Sequence, residues 1–490
     1  MVFTLAVVEV HISLVGRDGL AEQIYRQVRT AILDGRLRPA QAVPSTRELA
    51  ARLAVSRNTV GAAYERLVAE GFLAARAGVG TYVSDGVPAG RRTRRPTRAP
   101  AIRTRPVWDG QPEPEDMSAV NPVFDFRPGI PDARYFPFAT WRALLADALR
   151  EASVGAGAYT DPAGHVGLRA AIARHIGVSR AVSATAEDVL VTSGTQQAVD
   201  LIGRVLLEPG DVAVVEDPGW VPPRVLLETM GARVVRVPVD GEGLVVEALP
   251  ERTRVVHVSP SHQFPLGVAM SLRRRLALLG WAERTGAVII EDDYDSEFRY
   301  VGRPVEPLHS LDRSGQVLYV GSLSKTLLPT LRLGFCVAPP SLHLALRKAK
   351  FVADWHTILP VQAALARYID QGGFARHIRR MRRVYQERHD RIAEILARDF
   401  TDVLAPIPSV AGLHLSAHLR NTTVNDQIDD EALVDQARRA GVGVYPVSIF
   451  GSAASPHRGL ILGYGAISLD RIDEGLRLLR RCLQTDAARL

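Results

Sequence analysis

The chain has only two cysteines in 490 residues and no apolar run near the ~18 residues that a membrane span needs. Two cysteines cannot form a disulfide framework, which is typical of a reducing compartment. The first eight residues, MVFTLAVV, are apolar but lack a basic start and a small-residue cleavage pattern, so no signal peptide is predicted. These absences favour a cytoplasmic protein without a membrane span.

Acidic residues are absent from one stretch, and that absence marks a boundary. From 86 to 107 the sequence GVPAGRRTRRPTRAPAIRTRPV holds seven arginines, four prolines and no acid. Such a segment cannot bury a core and its prolines keep it extended, so a linker is predicted over 86–122. Its arginines either keep the tether solvated or add contacts to DNA phosphates, and the composition leaves both open.

The rest of the chain divides into a small and a large unit. A net charge of +7 suggests an anionic partner but does not separate nucleic acid from plain solubility. A compact unit is predicted over 12–85. Over 123–490, strand-like runs such as VAVVED, AVIIEDD and VLYVGS alternate with helical patterns, which indicates an α/β domain with a mainly parallel sheet.

Three helices and a hairpin are predicted in the small unit. Ser45 and Glu48 form a capping-box pattern, and Ser56 can cap the third helix. A glycine turn in ARAGVG joins two short strands into a wing. This architecture binds DNA through the first turn of its third helix, although a helical domain for protein contact is the alternative. The residues predicted to face the major groove are Arg57, Asn58 and Thr59.

One lysine, Lys325 in GSLSKTLLPTLRLGF, follows a predicted strand among small hydroxyls, and an ordinary surface lysine is the alternative. A lysine that forms a Schiff base with pyridoxal 5′-phosphate needs four kinds of neighbouring group that bind the cofactor. These are a carboxylate for the pyridinium nitrogen, a donor for the phenolic oxygen, a flat apolar face, and a phosphate cup built at a helix start. The candidates are Asp292, Tyr294, Trp220, the run Ser193, Gly194, Thr195 and Gln196, and Ser322, Ser324 and Arg332.

Each of these candidates has a simpler explanation when taken alone. The serine-glycine turn is common, the tryptophan could be core, and the acids could be a surface or metal cluster. Together, at the carboxyl ends of strands in one sheet, they converge on one cofactor. No metal site is predicted.

The small unit resembles the winged helix-turn-helix of GntR-type bacterial repressors in P-S-x-R, V-S-R-x-T-V and the glycine-bearing wing. It departs at Ala40, where that family usually has glycine in a loop. The DNA contacts that the resemblance implies are Arg47, Ser56, Arg57, Asn58, Thr59, Gly78 and Gly80.

The stretch from about 124 to the end resembles fold-type I aminotransferases of class I, and the whole chain looks like the MocR/GabR subfamily of GntR regulators. The motifs that carry the resemblance are FRPGIPDARYFPFATW, YTDPAG, SGTQQA, EDPGW, SHQFPLG, EDDYDSEFRY and GSLSKTLLPTLRLGF. It implies that Lys325 carries the cofactor, Asp292 pairs with the pyridinium nitrogen and Tyr294 donates to the phenolic oxygen. The implied phosphate contacts are Gly194, Thr195, Gln196, Ser322, Arg332 and, from the neighbouring subunit of a homodimer, Tyr159.

The resemblance also implies a site for a substrate carboxylate at Arg458, in HRGLILGYG. Two positions depart from the aminotransferase pattern. Phe264 replaces the asparagine of N-P-T-G, and His262 or Gln263 is expected to substitute for it; the subfamily shares this change, which favours a sensor over an enzyme. Trp220 replaces a tyrosine, which keeps the stacking face and removes a hydroxyl.

Three functions remain open on the sequence. The first is a transcriptional regulator that senses an amine, an amino acid or a B6 vitamer through its aminotransferase-like domain. The second is a working aminotransferase with a DNA-binding domain attached. The third is a repressor whose large domain is only a dimerisation scaffold, and the intact lysine, aspartate and phosphate cup argue against it. The winged helix favours the regulator.

Overall fold

The computed structural model describes residues 12–16, 18–76, 80–85, 103–113, 121–150, 158–302, 306–409, 411–420, 429–452 and 457–487. The chain separates into two compact units, residues 1–104 and 105–490. The proposed limits of the DNA-binding domain, 12–85, and of the large domain, 123–490, fall within these units. No helix in the described residues is long and apolar enough to cross a membrane.

The small unit has the predicted three helices followed by an antiparallel hairpin, in which Leu73 pairs with Val83. Its core is made by one face of each helix, with Ile24, Val60 and Leu67 completely buried. The wing turn at 77–79, which contains Gly78, lies outside the described residues. The elements are α1 (Leu20–Leu33), α2 (Thr46–Leu53), α3 (Arg57–Ala69), β1 (Leu73–Arg76) and β2 (Gly80–Val83).

The predicted caps fix where these helices begin. The Ser45 hydroxyl accepts a hydrogen bond from the Glu48 backbone N–H, and the Glu48 carboxylate accepts one from the Ser45 N–H, so both halves of the capping box form. The Ser56 hydroxyl accepts from the Thr59 N–H at 3.1 Å. Because Ser56 is the cap, the three residues after it form the first, exposed turn of α3.

The large unit alternates strands and helices, as predicted. Its helices are α4 (Phe138–Ala148), α5 (Val166–Arg180), α6 (Thr195–Leu206), α7 (Val221–Thr229), α8 (Leu272–Thr285), α9 (Leu308–Leu311), α10 (Pro340–Asp354), α11 (Leu359–Asp370), α12 (Gly373–Asp399), α13 (Asp430–Arg439) and α14 (Leu469–Ala487). Its strands are β3 (Phe124–Asp125), β4 (Val189–Thr192), β5 (Val212–Asp217), β6 (Arg233–Asp240), β7 (Gly243–Leu244), β8 (Thr253–Val258), β9 (Val288–Asp293), β10 (Val317–Ser322), β11 (Gly334–Val337), β12 (Leu404–Pro406), β13 (His414–Leu419), β14 (Val442–Gly443), β15 (Tyr445–Pro446) and β16 (Gly459–Gly463).

Eight strands form the central sheet, in the order β4-β11-β10-β9-β8-β5-β6-β7. The pairs from β10 through β6 are parallel. Strand β11 runs antiparallel to both of its neighbours, so β4 again points the same way as β10. The mainly parallel sheet is therefore confirmed, and the carboxyl ends of β4, β5, β9 and β10 lie at one edge.

Helices cover both faces of this sheet, which explains why its strands are apolar throughout. Alternate residues of a strand belong to different cores: Val214 packs with Leu278 and Trp281 on one face, whereas Val215 packs with Leu201 on the other. A second, antiparallel sheet in the order β12-β13-β16-β15 packs with the carboxy-terminal helices into a further core. This part of the unit supplies the residues that face the sheet edge from the other side.

Part of the predicted linker packs on the large unit. Residues 103–113 include a 3-10 turn, Pro106–Trp108, and Gln111 donates hydrogen bonds to the Val107 carbonyl and the Glu228 carboxylate. The arginine-rich part, 86–102, lies outside the described residues.

Candidate functional site

The phosphate-binding candidates lie where β4 turns into α6. Gly194 is the residue before the helix and has a φ of 99°, which a side chain would disfavour. The Arg332 guanidinium donates to the Ser193 carbonyl and lies so close that a Cβ on Gly194 would come within 3.3 Å of it. Backbone amides at a helix start beside a guanidinium attract a dianion such as phosphate.

A second glycine is required by close backbone packing beside this turn. A Cβ on Gly334, the first residue of β11, would come 2.7 Å from the Gly194 Cα and 2.9 Å from the Gly321 carbonyl oxygen. Only a glycine therefore lets the backbones of the β4–α6 turn and β10 approach each other. This close backbone approach explains the glycine of the sequence motif LRLGF.

Lys325 points into the unit and is partly buried. Its Nζ donates a hydrogen bond of 2.8 Å to the carbonyl of Gly129, and a Cβ on Gly129 would lie only 2.7 Å from that nitrogen. Burial lowers the pKa of the Lys325 amine, an effect that the carboxylates of Asp295 and Asp292 oppose. A lysine held this way has a larger neutral fraction than a surface lysine and is the better nucleophile.

Asp292 is buried, with 4% of its surface exposed, and lies in β9 one residue before the strand ends. It pairs with Val320 of β10. Its carboxylate accepts a long hydrogen bond of 3.4 Å from the Thr195 hydroxyl and lies 3.5 Å from His257 Nε2. The predicted pyridinium partner and the predicted phosphate helix are therefore in contact.

Tyr294 lies directly after β9 with its hydroxyl 3.2 Å from His262 Nδ1. The same nitrogen lies 2.9 Å from the Asp295 carboxylate. Burial raises the pKa of Tyr294 well above 10, and the carboxylates of Asp295 and Asp292 add to that shift. The tyrosine therefore keeps its proton and is available as a hydrogen-bond donor.

Glu216, near the end of β5, is an acid that the sequence patterns did not single out. Burial raises its pKa to about 8. Its Oε2 accepts from the Ser259 N–H and from Gln263, whereas its Oε1 has no partner among the described residues. Glu216 therefore adds a buried carboxyl group, with one oxygen that has no partner in the described part of the chain, to the polar side chains around Asp292 at this edge of the sheet.

The remaining candidates of the cofactor site are arranged around this group. Ser322 is the last residue of β10, and its hydroxyl accepts from the Ser324 N–H at 3.2 Å. Trp220 is the partly buried residue before α7, as the EDPGW motif led us to expect. Gln196 is exposed in the first turn of α6.

Two predicted residues lie on exposed surface rather than inside the buried group. Tyr159 is 72% exposed and stacks on Trp355, with ring centroids 4.3 Å apart. Arg458 is exposed directly before β16, and its carbonyl accepts from the Leu419 N–H. Their predicted roles, toward a neighbouring subunit and toward a ligand, stay predictions.

Most of the DNA-binding candidates that the structure describes are exposed, as a groove contact requires. Arg47, Arg57 and Asn58 are all exposed, and the Arg57 Nε lies 3.4 Å from the Thr46 hydroxyl. Ser56 and Thr59 are occupied in the cap, with their hydroxyls 2.8 Å apart. Gly80 is exposed at the start of β2 with a φ of 133°.

Four members of the buried group were missed as site residues: Gly129, Glu216, His257 and Asp295. A signal existed for two of them, because Glu216 ends an otherwise apolar strand and Asp295 follows the tyrosine of the EDDYDSEFRY motif. Nothing local marks Gly129 or His257. Their role depends on contacts with residues far away in the chain.

Comparison with known families matches both units. The description "Aminotransferase class I and II" matches residues 130–461, and "Bacterial regulatory proteins, gntR family" matches residues 20–83. These ranges contain the buried lysine group and the capped helices, respectively.

Relatives and solved structures agree with that pairing. The chain is 39% identical over 94% of its length to a probable rhizopine catabolism regulatory protein, MocR, of Rhizobium meliloti, covering 92% of it. It is 29% identical over 92% of its length to PdxR, a pyridoxine biosynthesis transcriptional regulator of Corynebacterium glutamicum, covering 93% of it. A kynurenine aminotransferase of Pyrococcus horikoshii, solved with PMP, superposes with a TM-score of 0.70 at 27% identity, over 78% of this chain and 97% of that one.

The family match covers most of the large unit, and the relative MocR is matched from the winged helix through the aminotransferase-like domain. The chain therefore belongs to the class I and II aminotransferase family and, with its gntR-type domain in front, to the MocR-type regulators.

Proposed function

We propose that this protein is a DNA-binding transcriptional regulator that senses an amino compound or a B6 vitamer through pyridoxal 5′-phosphate held in its large unit. One observation carries the proposal: a gntR-type helix with exposed arginines and a buried lysine surrounded by carboxylates occur on the same chain. A metabolic enzyme needs only the second of these features.

The residues fit the cofactor on two counts. A Cβ on Gly194 would come within 3.3 Å of the Arg332 guanidinium, so the glycine leaves the space between them free for a ligand. Two buried polar atoms near Asp292, Glu216 Oε1 and His257 Nε2, have no hydrogen-bond partner among the described residues. Buried polar atoms are costly unless something satisfies them, so a polar ring system bound here would remove that cost.

Each residue then has a definite task. When bound, the cofactor supplies an aldehyde that condenses with amines and a ring that withdraws electrons. Lys325 holds it covalently and Asp292 keeps the ring nitrogen protonated. The Gly194, Thr195 and Gln196 amides, with Ser322 and Arg332, bind the phosphate. Trp220 covers the ring, and Tyr294 donates to the phenolic oxygen.

A homodimer would complete the site. Tyr159 is largely exposed in one subunit, and the apolar residues Phe351, Val352 and Ile358 are also exposed. A partner that covers this surface would remove apolar area from water and bring Tyr159 to the partner's phosphate. Two winged helices would then meet two DNA half-sites.

An effector that is an amine would compete with Lys325, which is itself an amine and occupies the same position. An amine that replaces Lys325 frees the lysine side chain, and an amino acid also offers a carboxylate to Arg458. A ligand changes DNA affinity only to the extent that it binds one state of the protein better than another. These two new contacts exist only in the liganded state, so they are the source of the differential affinity.

The test separates a sensor from an enzyme. Operator affinity is titrated with γ-aminobutyrate, L-alanine, taurine and pyridoxal 5′-phosphate, and the same mixtures, with 2-oxoglutarate added, are analysed for keto products. We expect at least one amine to change operator affinity with slow or absent turnover. Rapid multiple turnover, with no ligand affecting DNA binding, would establish the aminotransferase instead.

A further inference from the structure

His262 contacts Tyr294 and Asp295 at the centre of a buried cluster. His262 and Asp295 are only 2% and 1% exposed. The imidazole Nδ1 lies 2.9 Å from one Asp295 oxygen and 3.2 Å from the Tyr294 hydroxyl. One ring nitrogen therefore serves both an acid and the tyrosine that faces the cofactor.

The hydrogens of this cluster can be assigned by counting donors. We place the hydrogen between His262 and Asp295 on the imidazole Nδ1, with the Asp295 carboxylate as its acceptor. The Nδ1–H then donates to the carboxylate and, as the second branch of a forked bond, to the Tyr294 oxygen. Because that oxygen accepts, the Tyr294 hydroxyl proton is left to be donated elsewhere.

The other ring nitrogen, Nε2, lies 3.3 Å from the Ser409 hydroxyl oxygen. The same hydroxyl donates to the Ala411 carbonyl at 3.1 Å. The ring of His414 is tilted against that of His262, with ring centroids 4.6 Å apart, and burial lowers the pKa of His414 well below 6.5.

Gln263 cannot make this contact with Tyr294. Its side-chain nitrogen donates to the Pro218 and Phe264 carbonyls, and its oxygen accepts from the Leu266 N–H. The amide is thus occupied in holding the turn, and only His262 reaches Tyr294. Of the two residues considered as replacements for the missing asparagine, the geometry selects His262.

We propose that His262 is a positioning residue: held by Asp295, it donates to the Tyr294 oxygen and so directs the Tyr294 proton to the phenolic oxygen of the bound cofactor. This rests on the proposed function, because it needs a cofactor at Lys325. This arrangement of Asp295, His262 and Tyr294, here called the relay, takes the place of the asparagine of related enzymes.

The charged groups around His262 come from several elements. Asp295 and Tyr294 follow β9, His414 is on β13, and Lys325 follows β10 and interacts electrostatically with both Asp295 and His414. A hydrogen bond that Tyr294 donates to the phenolic oxygen stabilises the deprotonated form of the bound cofactor. Weakening the relay therefore raises the pH at which the cofactor chromophore loses its proton.

A metal ion is the competing occupant of this cluster. One ligand atom each from His262, Asp295 and His414 lies within 4.8 Å of the others. However, His262 Nδ1 already holds a proton against Asp295, and His414 Nε2 donates to the Pro265 carbonyl at 3.0 Å. Bound protons exclude a metal from the same lone pairs.

The experiment compares two substitutions that differ in which ring nitrogen they imitate. Asn in H262N places its amide nitrogen near Nδ1, whereas Gln in H262Q places it near Nε2 and loses the donor to Tyr294. In holoprotein titrated from pH 5 to 10, we expect the absorbance midpoint of H262Q to rise by about half to one pH unit. H262N should restore most of the wild-type midpoint.

A double mutant shows whether His262 acts through Tyr294. In a Y294F background, H262Q should produce no further shift, because the relay is already broken. H343N is the matched histidine control, since His343 bonds the Ala338 carbonyl and touches no member of the cluster. Its midpoint should equal that of the wild type.

A second measurement does not need the cofactor. ¹⁵N spectra of ring-labelled cofactor-free protein at pH 7 should show one histidine protonated at Nδ1 whose signal is absent in H262Q and altered in D295N. A His262 without a hydrogen on Nδ1, an additive shift in Y294F, no shift in H262Q, or stoichiometric zinc would each overturn the inference. A wild type without a cofactor band would defeat the proposed function, and the ¹⁵N result would still report the contact between His262 and Asp295.

Discussion

The two units of this chain hold their predicted binding residues in opposite surroundings. In the small unit, Arg47, Arg57 and Asn58 are exposed and only the helix caps fix their position. In the large unit, Asp292 is 4% exposed, and Lys325 has a pKa lowered by burial. A surface for DNA costs the fold little, whereas a pocket for a small cofactor requires charged groups to be buried, which costs stability.

Removing the lysine should have the largest effect. In K325A we expect complete loss of the borohydride-reducible cofactor adduct, because the amine that interacts with Asp292 and Asp295 is gone. Absorbance after borohydride treatment and mass spectrometry measure it. Basal operator affinity should not change, since Lys325 lies outside the gntR-type domain. An adduct that persists in K325A would place the attachment site elsewhere.

Glu216 tests whether the large unit carries a stability cost. Its pKa is raised in the folded protein from 4.5 to about 8. The contribution of protonated Glu216 to the free energy of unfolding is therefore fully present below pH 4.5 and is lost as the pH rises through 8. Between pH 5 and 9 the free energy of unfolding of the cofactor-free wild type should fall, relative to E216Q, by on the order of a few kcal/mol.

Tryptophan fluorescence during urea unfolding measures this difference in the large unit alone. Glu291, whose pKa burial raises to about 7, is present in both proteins and does not contribute to their difference. If the free energies of unfolding of the wild type and E216Q change with pH in parallel, Glu216 is ionised without a loss of stability. The five tryptophans all belong to the large unit: Trp108, Trp141, Trp220, Trp281 and Trp355.

Arg57 tests the exposed surface. An arginine that reads a guanine contributes about 1–3 kcal/mol of discrimination, so R57A should weaken operator binding about 10- to 100-fold in a gel-shift assay. Cofactor absorbance should be intact. R26A is the control, because Arg26 is equally exposed but pairs with Glu22 on α1. Equal operator affinity of R57A and R26A would reject α3 as the recognition helix.

The smallest effect is expected at a helix cap. S45A removes the acceptor for the Glu48 N–H and should destabilise α2 by about 1 kcal/mol, which is about fivefold faster hydrogen exchange over residues 46–53. S45D keeps the acceptor and should exchange like the wild type. If S45A and S45D behave alike, the capping box does not hold the helix.

Local patterns were sufficient for the small unit. The capping box at Ser45 and the cap at Ser56 both predicted where the observed helices begin, because each depends on neighbours within one turn. The sheet order of the large unit could be anticipated only as mainly parallel. The reversal of β11 between β4 and β10 has no local signature.

The buried group was predicted in part. Motifs at strand ends marked Asp292, Tyr294 and Lys325, since catalytic groups gather at one edge of a parallel sheet. They did not mark Gly129, which meets Lys325 across 196 positions, or the contact of His262 with Asp295. Such contacts follow from packing between distant segments, which neither spacing nor propensity encodes.

The central claim is that amine binding in the large unit and DNA binding in the small unit are coupled. Coupling is reciprocal, so the factor by which an active amine changes operator affinity must equal the factor by which the operator changes amine affinity. We expect equal factors within about 5- to 150-fold in the wild type and a factor of one in K325A, with basal operator affinity retained. Unequal factors, or an undiminished response in K325A, would contradict this account.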